Sequence, residues 1–174
     1  PLSPLIDGKR AKNASWVEAT LPLKGNQVMR ESMISFVGKK IRYGKLFEVI
    51  DAVAADTCYK HIGLDGDNTA CAGDVVIVTA CVEGMLAKSH IESEEDLTIQ
   101  SFLTHVGRTS MEVHVNLLQH DEIVASTHFV FVAQKEGKGY PVPGLILEGA
   151  HDIADFEKGE LRSAKRREKG AKSL

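Results

Sequence analysis

Apolar positions obey two rules in this chain: a 3.6-residue period in one central stretch, then a two-residue period through most of the C-terminal half. With Leu46 at 0° on a helical wheel, Ile50, Val53, Ala54 and Thr57 fall within about 80° of it, and Phe47 and Cys58 at about 100° and 120°. That arc predicts a buried face on a helix over Ile41 to His61, begun at Gly44 and stopped by Gly63 and the turn residues Asp65, Gly66, Asp67 and Asn68. Asp51 lies at about 140°, on the margin of the buried arc, whereas Glu48 and Asp56 point well into the polar side. From Ala72 onward the pattern predicts strands. Val75–Val82 is an unbroken apolar, largely β-branched run, as expected of a strand buried on both faces. Leu97–Val106, Ser110–Leu118 and Ile123–Ala133 come next, with turns at Gly107-Arg108 and His120-Asp121. Met111, Val113, Val115 and Leu117 alternate with Glu112, His114 and Asn116, which separates an apolar face from a polar one. Ahead of the helix, Ser15–Leu21 reads as a first strand ended by Pro22. Asn26–Glu31 reads as a short helix leading into an extended stretch at Ile34–Val37.

This order of strand, long apolar helix and antiparallel meander predicts an α+β domain whose sheet curls around a central helix. No internal repeat or low-complexity linker divides it. We read residues 1–14 as an N-terminal arm or mostly irregular, 15–148 as a single domain, and 149–174 as a charged C-terminal helix or tail. A length of 174 residues, 43% hydrophobic and 26% charged, suits one core.

Charge and cysteines narrow the setting. The net charge is −3, yet Glu157–Leu174 holds seven of the 21 basic residues and three of the 24 acids. That basic stretch has no aromatic residue for base stacking and no apolar face for membrane insertion, so it reads as a solvated helix end rather than a nucleic-acid or membrane patch. Cys58, Cys71 and Cys81 match no zinc spacing, and their odd number fits a reducing compartment. Val75–Val82 is too short to cross a bilayer, no signal region is present, and the chain is expected to be soluble. Its start at Pro1 leaves room for a removed leader.

The same residues carry a family resemblance. Ile41, Arg42, Tyr43, Gly44, Leu46, Glu48 and Asp51, with Tyr59, Lys60 and His61 beyond them, resemble the central-helix signature of the eukaryotic mitochondrial acyl-CoA thioesterases, which have the hotdog fold. Four further segments resemble that family in the same order. They are Trp16–Leu23 ahead of Arg30-Glu31, Val78–Glu83, Val106–Val113, and Pro141–Ile146 with the charged Phe156–Glu160. The resemblance covers residues 15–167 and implies a hotdog of about five or six strands that hydrolyses medium- or long-chain fatty acyl-CoA, with mitochondrial localisation.

It also implies a site. Asp51 takes the place of the helix acid that serves as general base or nucleophile, and the backbone amides of Tyr43 and Gly44 take that of the oxyanion hole. Orphan amides and the positive end of a helix dipole suit such a charge. Related double-hotdog enzymes supply an asparagine just before the helix, across the interface from the acid; here Lys39 and Lys40 stand nearest. An ammonium facing the partner's carboxylate favours its charged form, and the alternative is that both lysines point to water. Arg108, Thr109 and Ser110 in the hairpin turn, then Lys88 and Lys60, are the candidates for binding CoA phosphates. The seven histidines are read as structural, and Met111, Phe129 and Phe131 as core or tunnel lining. No metal or cofactor is called for.

Because the mitochondrial enzymes join two hotdog units and this chain holds one, the resemblance implies a homodimer, or a hexamer built as a trimer of dimers, with sites at the dimer interface. No Asp/His pair suited to an enoyl-thioester hydratase occurs between Ile34 and Asp51. The non-enzymatic alternative is an acyl-CoA-binding or regulatory hotdog, or an inactive partner subunit, and Lys39-Lys40 is its best support.

Overall fold

The apolar arc centred on Leu46 becomes the axis of the molecule because the later strands wrap around it. The structure is a computed structural model and describes residues 5–37, 40–63 and 74–172. Strand β1 (Lys9–Ala11) leads through a 3-10 turn at Lys12–Ser15 into β2 (Val17–Leu21), then helices α1 (Gln27–Met33) and α2 (Tyr43–Ile62). Next come strands β3 (Val75–Val82), β4 (Leu86–Ala87), β5 (Leu97–Val106), β6 (Ser110–Gln119), β7 (Glu122–Lys135), β8 (Lys138–Gly139) and β9 (Gly144–Ile146). Helix α3 (Ala150–Lys172) closes the described chain.

Local chemistry sets the element ends. The Asn26 side chain accepts a hydrogen bond from Met29 N–H at 3.0 Å and starts α1. Gly63, at φ 91°, ends α2 in a left-handed conformation that glycine adopts without penalty. The turn residues expected at 65–68 lie outside the described residues. At the β6–β7 hairpin, His120 and Asp121 both take positive φ (51° and 62°), matching the handedness that a tight hairpin requires.

The main sheet runs β2-β5-β6-β7-β3, antiparallel throughout, with β4 and β8 paired to β7. Register shifts at Thr79/Cys81, Leu103/His105 and Leu117/Leu118 bend it around α2. Leu46, Ile50, Ala54 and Cys58 of the helix are buried together with Ile99, Leu103, Met111, Val113, Val115, Phe129 and Phe131 of the sheet. Fully burying each large aliphatic or aromatic side chain is worth about 1.5–3 kcal/mol, so this one seam sets the wrap. A polar pair across it, Thr57 and Ser101, is satisfied by a 2.7 Å hydroxyl hydrogen bond.

Three expectations are corrected. First, the arm is more ordered than the mostly irregular segment expected, because β1 pairs in parallel with β9, Lys9 opposite Gly144, and a 3-10 turn follows it. Second, β3 is not buried on both faces. Among the described residues it pairs with β7 alone and forms the edge of the main sheet, leaving Val76, Val78 and Val82 56%, 40% and 44% exposed. Third, the basic C-terminal stretch is not merely a solvated end. Helix α3 lies across the outer face of the sheet, where Gly159 is buried against His105 and the Phe156 and His105 rings meet at 4.7 Å. Glu112, only 1% exposed, accepts hydrogen bonds from Arg162 (2.6 Å) and Arg166 (3.0 Å), and Arg166 also reaches Glu83. Burial works against the Glu112 charge, but Arg162, with help from Thr104 and Arg166, holds its carboxyl below the usual range. Partner contacts, not net charge, decided where this helix went.

Candidate active site

Asp51 sits where the helical wheel places it, half-buried on the flank of α2 beside β3. Its carboxylate accepts a 2.7 Å hydrogen bond from the Thr79 hydroxyl. Thr79 stands at the register shift of the edge strand, so the bend that curls the sheet also brings a donor to the acid. Cys58, two turns further along the helix, is wholly buried, and burial together with the Asp51 charge pushes its thiol well above the ordinary value. That makes Cys58 a core side chain rather than a nucleophile.

A cavity of about 500 Å³ opens beside the acid, lined by Gly44, Phe47, Glu48, Asp51, Val82 and Phe129. Its apolar side continues through a run of rings: Phe47 is tilted against Phe129 at 6.3 Å, and Phe129 stacks on Phe131 at 5.9 Å. The N-terminus of α2 forms its far side. Arg42 precedes the helix without a side-chain cap, no acid occupies the first turn, and the first helical hydrogen bond is Leu46 N–H to Arg42 C=O at 3.0 Å. The amides of Tyr43, Gly44 and Lys45 therefore have no acceptor within the helix, and the dipole adds partial positive charge there. Gly44 has open space where a side chain would stand, so an approaching group meets the backbone directly.

Seven residues of helix separate Gly44 from Asp51, a rise of about 10 Å. The chain thus presents an acid and a set of free backbone amides at two ends of a single cavity wall. The other residues singled out from the sequence lie elsewhere. Lys40 is exposed, its carbonyl bonded to Ser35 N–H at 2.8 Å, and Lys39 lies outside the described residues. Arg108, Thr109 and Ser110 form the β5–β6 turn, pinned by Gly107 N–H to Ser110 C=O, Ala133 N–H to Thr109 C=O and Val142 N–H to Arg108 C=O. Lys60 pairs with Asp56 at 3.1 Å in the last turn of α2. Lys88 lines a different cleft, on the outer face of the sheet. Among the described residues, none of these candidates lines the Asp51 cavity. Sequence reasoning missed Thr79 and Val82, because reading β3 as doubly buried hid which of its side chains face the helix.

No protein-family model matches the chain. It is 32% identical over 164 residues to acyl-coenzyme A thioesterase 9, mitochondrial, of Homo sapiens, an alignment covering 90% of this chain and 36% of that protein. In structure it superimposes on an acyl-CoA hydrolase from Staphylococcus aureus, solved with butyryl coenzyme A, coenzyme A and coenzyme A disulfide, at a TM-score of 0.75 and 21% identity. That match covers 95% of this chain and 92% of the hydrolase chain. The chain is a hotdog domain resembling the acyl-CoA thioesterases. A hexameric acyl-CoA thioesterase agrees at a TM-score of 0.71 and 26% identity, covering 94% of this hotdog domain and 97% of that chain. The domain spans a little over a third of the length of the first mitochondrial relatives it matches, 37% of the Bos taurus protein and 36% of the human one.

Proposed function

We propose that this hotdog domain hydrolyses the thioester of a medium- or long-chain fatty acyl-CoA to the free acid and CoA. The observation that carries the reading is the pairing of Asp51, held by Thr79, with an apolar cavity that ends on the free amides of a helix N-terminus. An acyl chain suits the Phe47–Phe129 lining, and the reacting carbonyl suits the polar rim. Asp51 takes a proton from water as its oxygen attacks the thioester carbon, or attacks that carbon itself to form an anhydride that water then opens. The carbonyl oxygen gains negative charge, which the amides at Tyr43 and Gly44 stabilise; the carbonyl then re-forms, the C–S bond breaks, and the CoA thiolate takes up the proton.

The roughly 10 Å between Gly44 and Asp51 favours a site shared by two units, the acid of one facing the helix start of the other. An antiparallel pair of α2 helices about a two-fold axis near Phe47 and Glu48 brings each Asp51 opposite the other unit's Gly44. The exposed apolar edge of β3 supplies surface for such a pair. This supports a homodimer, or a hexamer of three dimers. Lys40 then borders the second unit's acid, and Arg108, Thr109, Ser110, Lys60 and Lys88 are left to bind CoA phosphates from the rim or the partner. Resemblance to mitochondrial enzymes supports a mitochondrial location.

Release of free thiol across a panel of acyl-CoAs tests the activity and gives the chain length. The expected result is turnover with the native chain and loss of roughly 10²-fold or more in Asp51→Ala at unchanged thermal stability. Full activity in that variant would falsify the role of Asp51. A second reading, a hotdog that binds acyl-CoA without cleaving it, draws on Lys40 standing where related double-hotdog enzymes have an asparagine. Saturable acyl-CoA binding with no thiol release above background selects it.

A further inference from the structure

Between α1 and α2 the chain turns apolar side chains outward. Phe36 is wholly exposed and Val37 is 85% exposed, although both belong to a segment held firmly at its base. Ile34 bridges Ile41 in antiparallel fashion, Ser35 N–H donates to Lys40 C=O at 2.8 Å, and Arg42 N–H donates to Met33 C=O at 2.8 Å. Val37 N–H donates to the Ser35 hydroxyl at 3.3 Å. This base runs directly into the N-terminus of α2, so the place of the two side chains is tied to that of the Tyr43 and Gly44 amides. Single exposed hydrophobes are ordinary on a surface, but a bare phenylalanine beside a bare valine on a pinned segment marks a contact made outside the chain.

The Asp51 cavity is a surface of matching chemistry. Phe47, Val82 and Phe129 give it an apolar lining, with Val82 still 44% exposed, and Asp51 gives it a carboxylate that, among the described residues, has no cation within ion-pair distance. Lys40 and Arg42, which flank the base of the exposed segment, are exposed cations that make no ion pair among the described residues. Apolar tip and free cations on one surface thus answer apolar lining and free acid on the other. Position agrees with chemistry. When antiparallel α2 helices set Gly44 of one unit against Asp51 of the other, a step back along one chain is a step forward along its partner, so Lys40 falls opposite Ala55, one turn beyond the acid. The residues just before it therefore come to the Asp51 end of the partner's cavity. Full exposure of Phe36 shows that it does not cover the cavity of its own chain.

We propose that Phe36, with Val37 beside it, closes the Asp51 cavity of a second copy of this chain and forms a wall against which a long acyl chain lies, setting acyl-length preference in trans. This rests on the hydrolysis reading and its two-unit site, and it adds a residue that the chemical step does not use. A ring buries apolar surface against an acyl chain only if that chain is long enough to reach it; a shorter chain gains nothing from it. Phe36 is therefore a specificity residue and not a catalytic residue. Because the ring is wholly exposed in its own chain, its truncation is expected to leave the fold intact.

The test compares full-length Phe36→Ala, Asp51→Ala and an assembly of the two chains, co-expressed with different affinity tags. In Phe36→Ala, kcat/KM for the longest acyl-CoA that the native chain accepts is expected to fall about tenfold or more, with little change for the shortest, at unchanged melting temperature and mass. The mixed assembly decides whether the ring acts across the interface. One of its sites joins the intact Asp51 of the Phe36→Ala chain to the intact Phe36 of the Asp51→Ala chain, so long-chain turnover is expected to recover toward about half the native rate. If Phe36 served the Asp51 of its own chain, no site would hold both and nothing would recover. An unaltered length profile, an equal fall for the shortest substrate, or no recovery in the mixed assembly overturns the proposal and leaves the hydrolysis reading standing. The same length profile, measured as Kd for non-hydrolysable acyl-CoA thioethers, needs no turnover: a native chain that binds them without cleaving acyl-CoA sinks the hydrolysis reading alone, and one that binds none sinks both.

Discussion

Replacing Gly159 by alanine sets two known effects against each other, and the structure decides between them. In a helix interior the change from glycine to alanine is worth about 1 kcal/mol in favour of folding. At position 159, however, the added Cβ overlaps the Cβ of His105 and meets the carboxylate of Glu112 at 3.1 Å. The first of these atoms is fixed to the backbone of β5 and no rotamer change removes it. Relief requires α3 to move outward, which lengthens the Arg162–Glu112 hydrogen bond of 2.6 Å and parts the Phe156 and His105 rings. Overpacking of this kind costs about 1–3 kcal/mol, occasionally more. The expected net loss is about 0–2 kcal/mol, which lowers the melting temperature by up to about 8 °C for a chain of this length. Gly44→Ala is the control: a Cβ there meets nothing within 4 Å, so it is expected not to destabilise. Urea and thermal unfolding of both variants give the answer. A Gly159→Ala protein more stable than the native chain, by the full propensity gain of about 1 kcal/mol, would mean that α3 does not rest on the sheet as described.

Acid should weaken the fold in a window set by the outer-face histidines. Burial, then His114 and Arg162, lower His128 from 6.5 to about 4, against only partial opposition from Glu112; the unfolded chain therefore binds a proton there that the folded chain does not. Stability falls as pH drops from 6.5 to about 4, and His128→Gln is expected to flatten that slope; an unaltered slope refutes the assignment. Glu112 acts lower on the scale, its contribution present above pH 4.5 and lost as pH falls through its depressed folded value. Buried Cys58 is expected to resist alkylation in the native state and to react on unfolding, read by mass spectrometry; labelling at the native rate of Cys81 contradicts its burial. If the proposed pairing uses the edge of β3, Val78→Lys is expected to break it, seen as a fall in mass by light scattering, and an unchanged oligomeric mass excludes that edge from the proposed interface.

Much of the inner half of the molecule was legible in the sequence. Leu46, Ile50, Ala54 and Cys58 recur with the helical period, and Met111 to Leu117 with the strand period, because each pattern reports a local backbone geometry repeated over many residues. The margin position of Asp51 came out of the same arithmetic. The resemblance supplied the hotdog topology that these periods alone leave open.

What periodicity cannot carry is the identity of a neighbour brought in from elsewhere in the chain. Thr79 reaches Asp51 from 28 residues away, and Arg162 reaches Glu112 from 50. The apolar run of β3 looks the same whether the strand lies inside a sheet or at its edge, since only pairing order separates the two. The charges of α3 suggested solvent until Glu112 on the outer face gave them a partner. Local spacing determined which side chains share a face; the closing of the sheet decided which faces meet, and with that the Asp51 cavity, the exposed edge and the outer cleft.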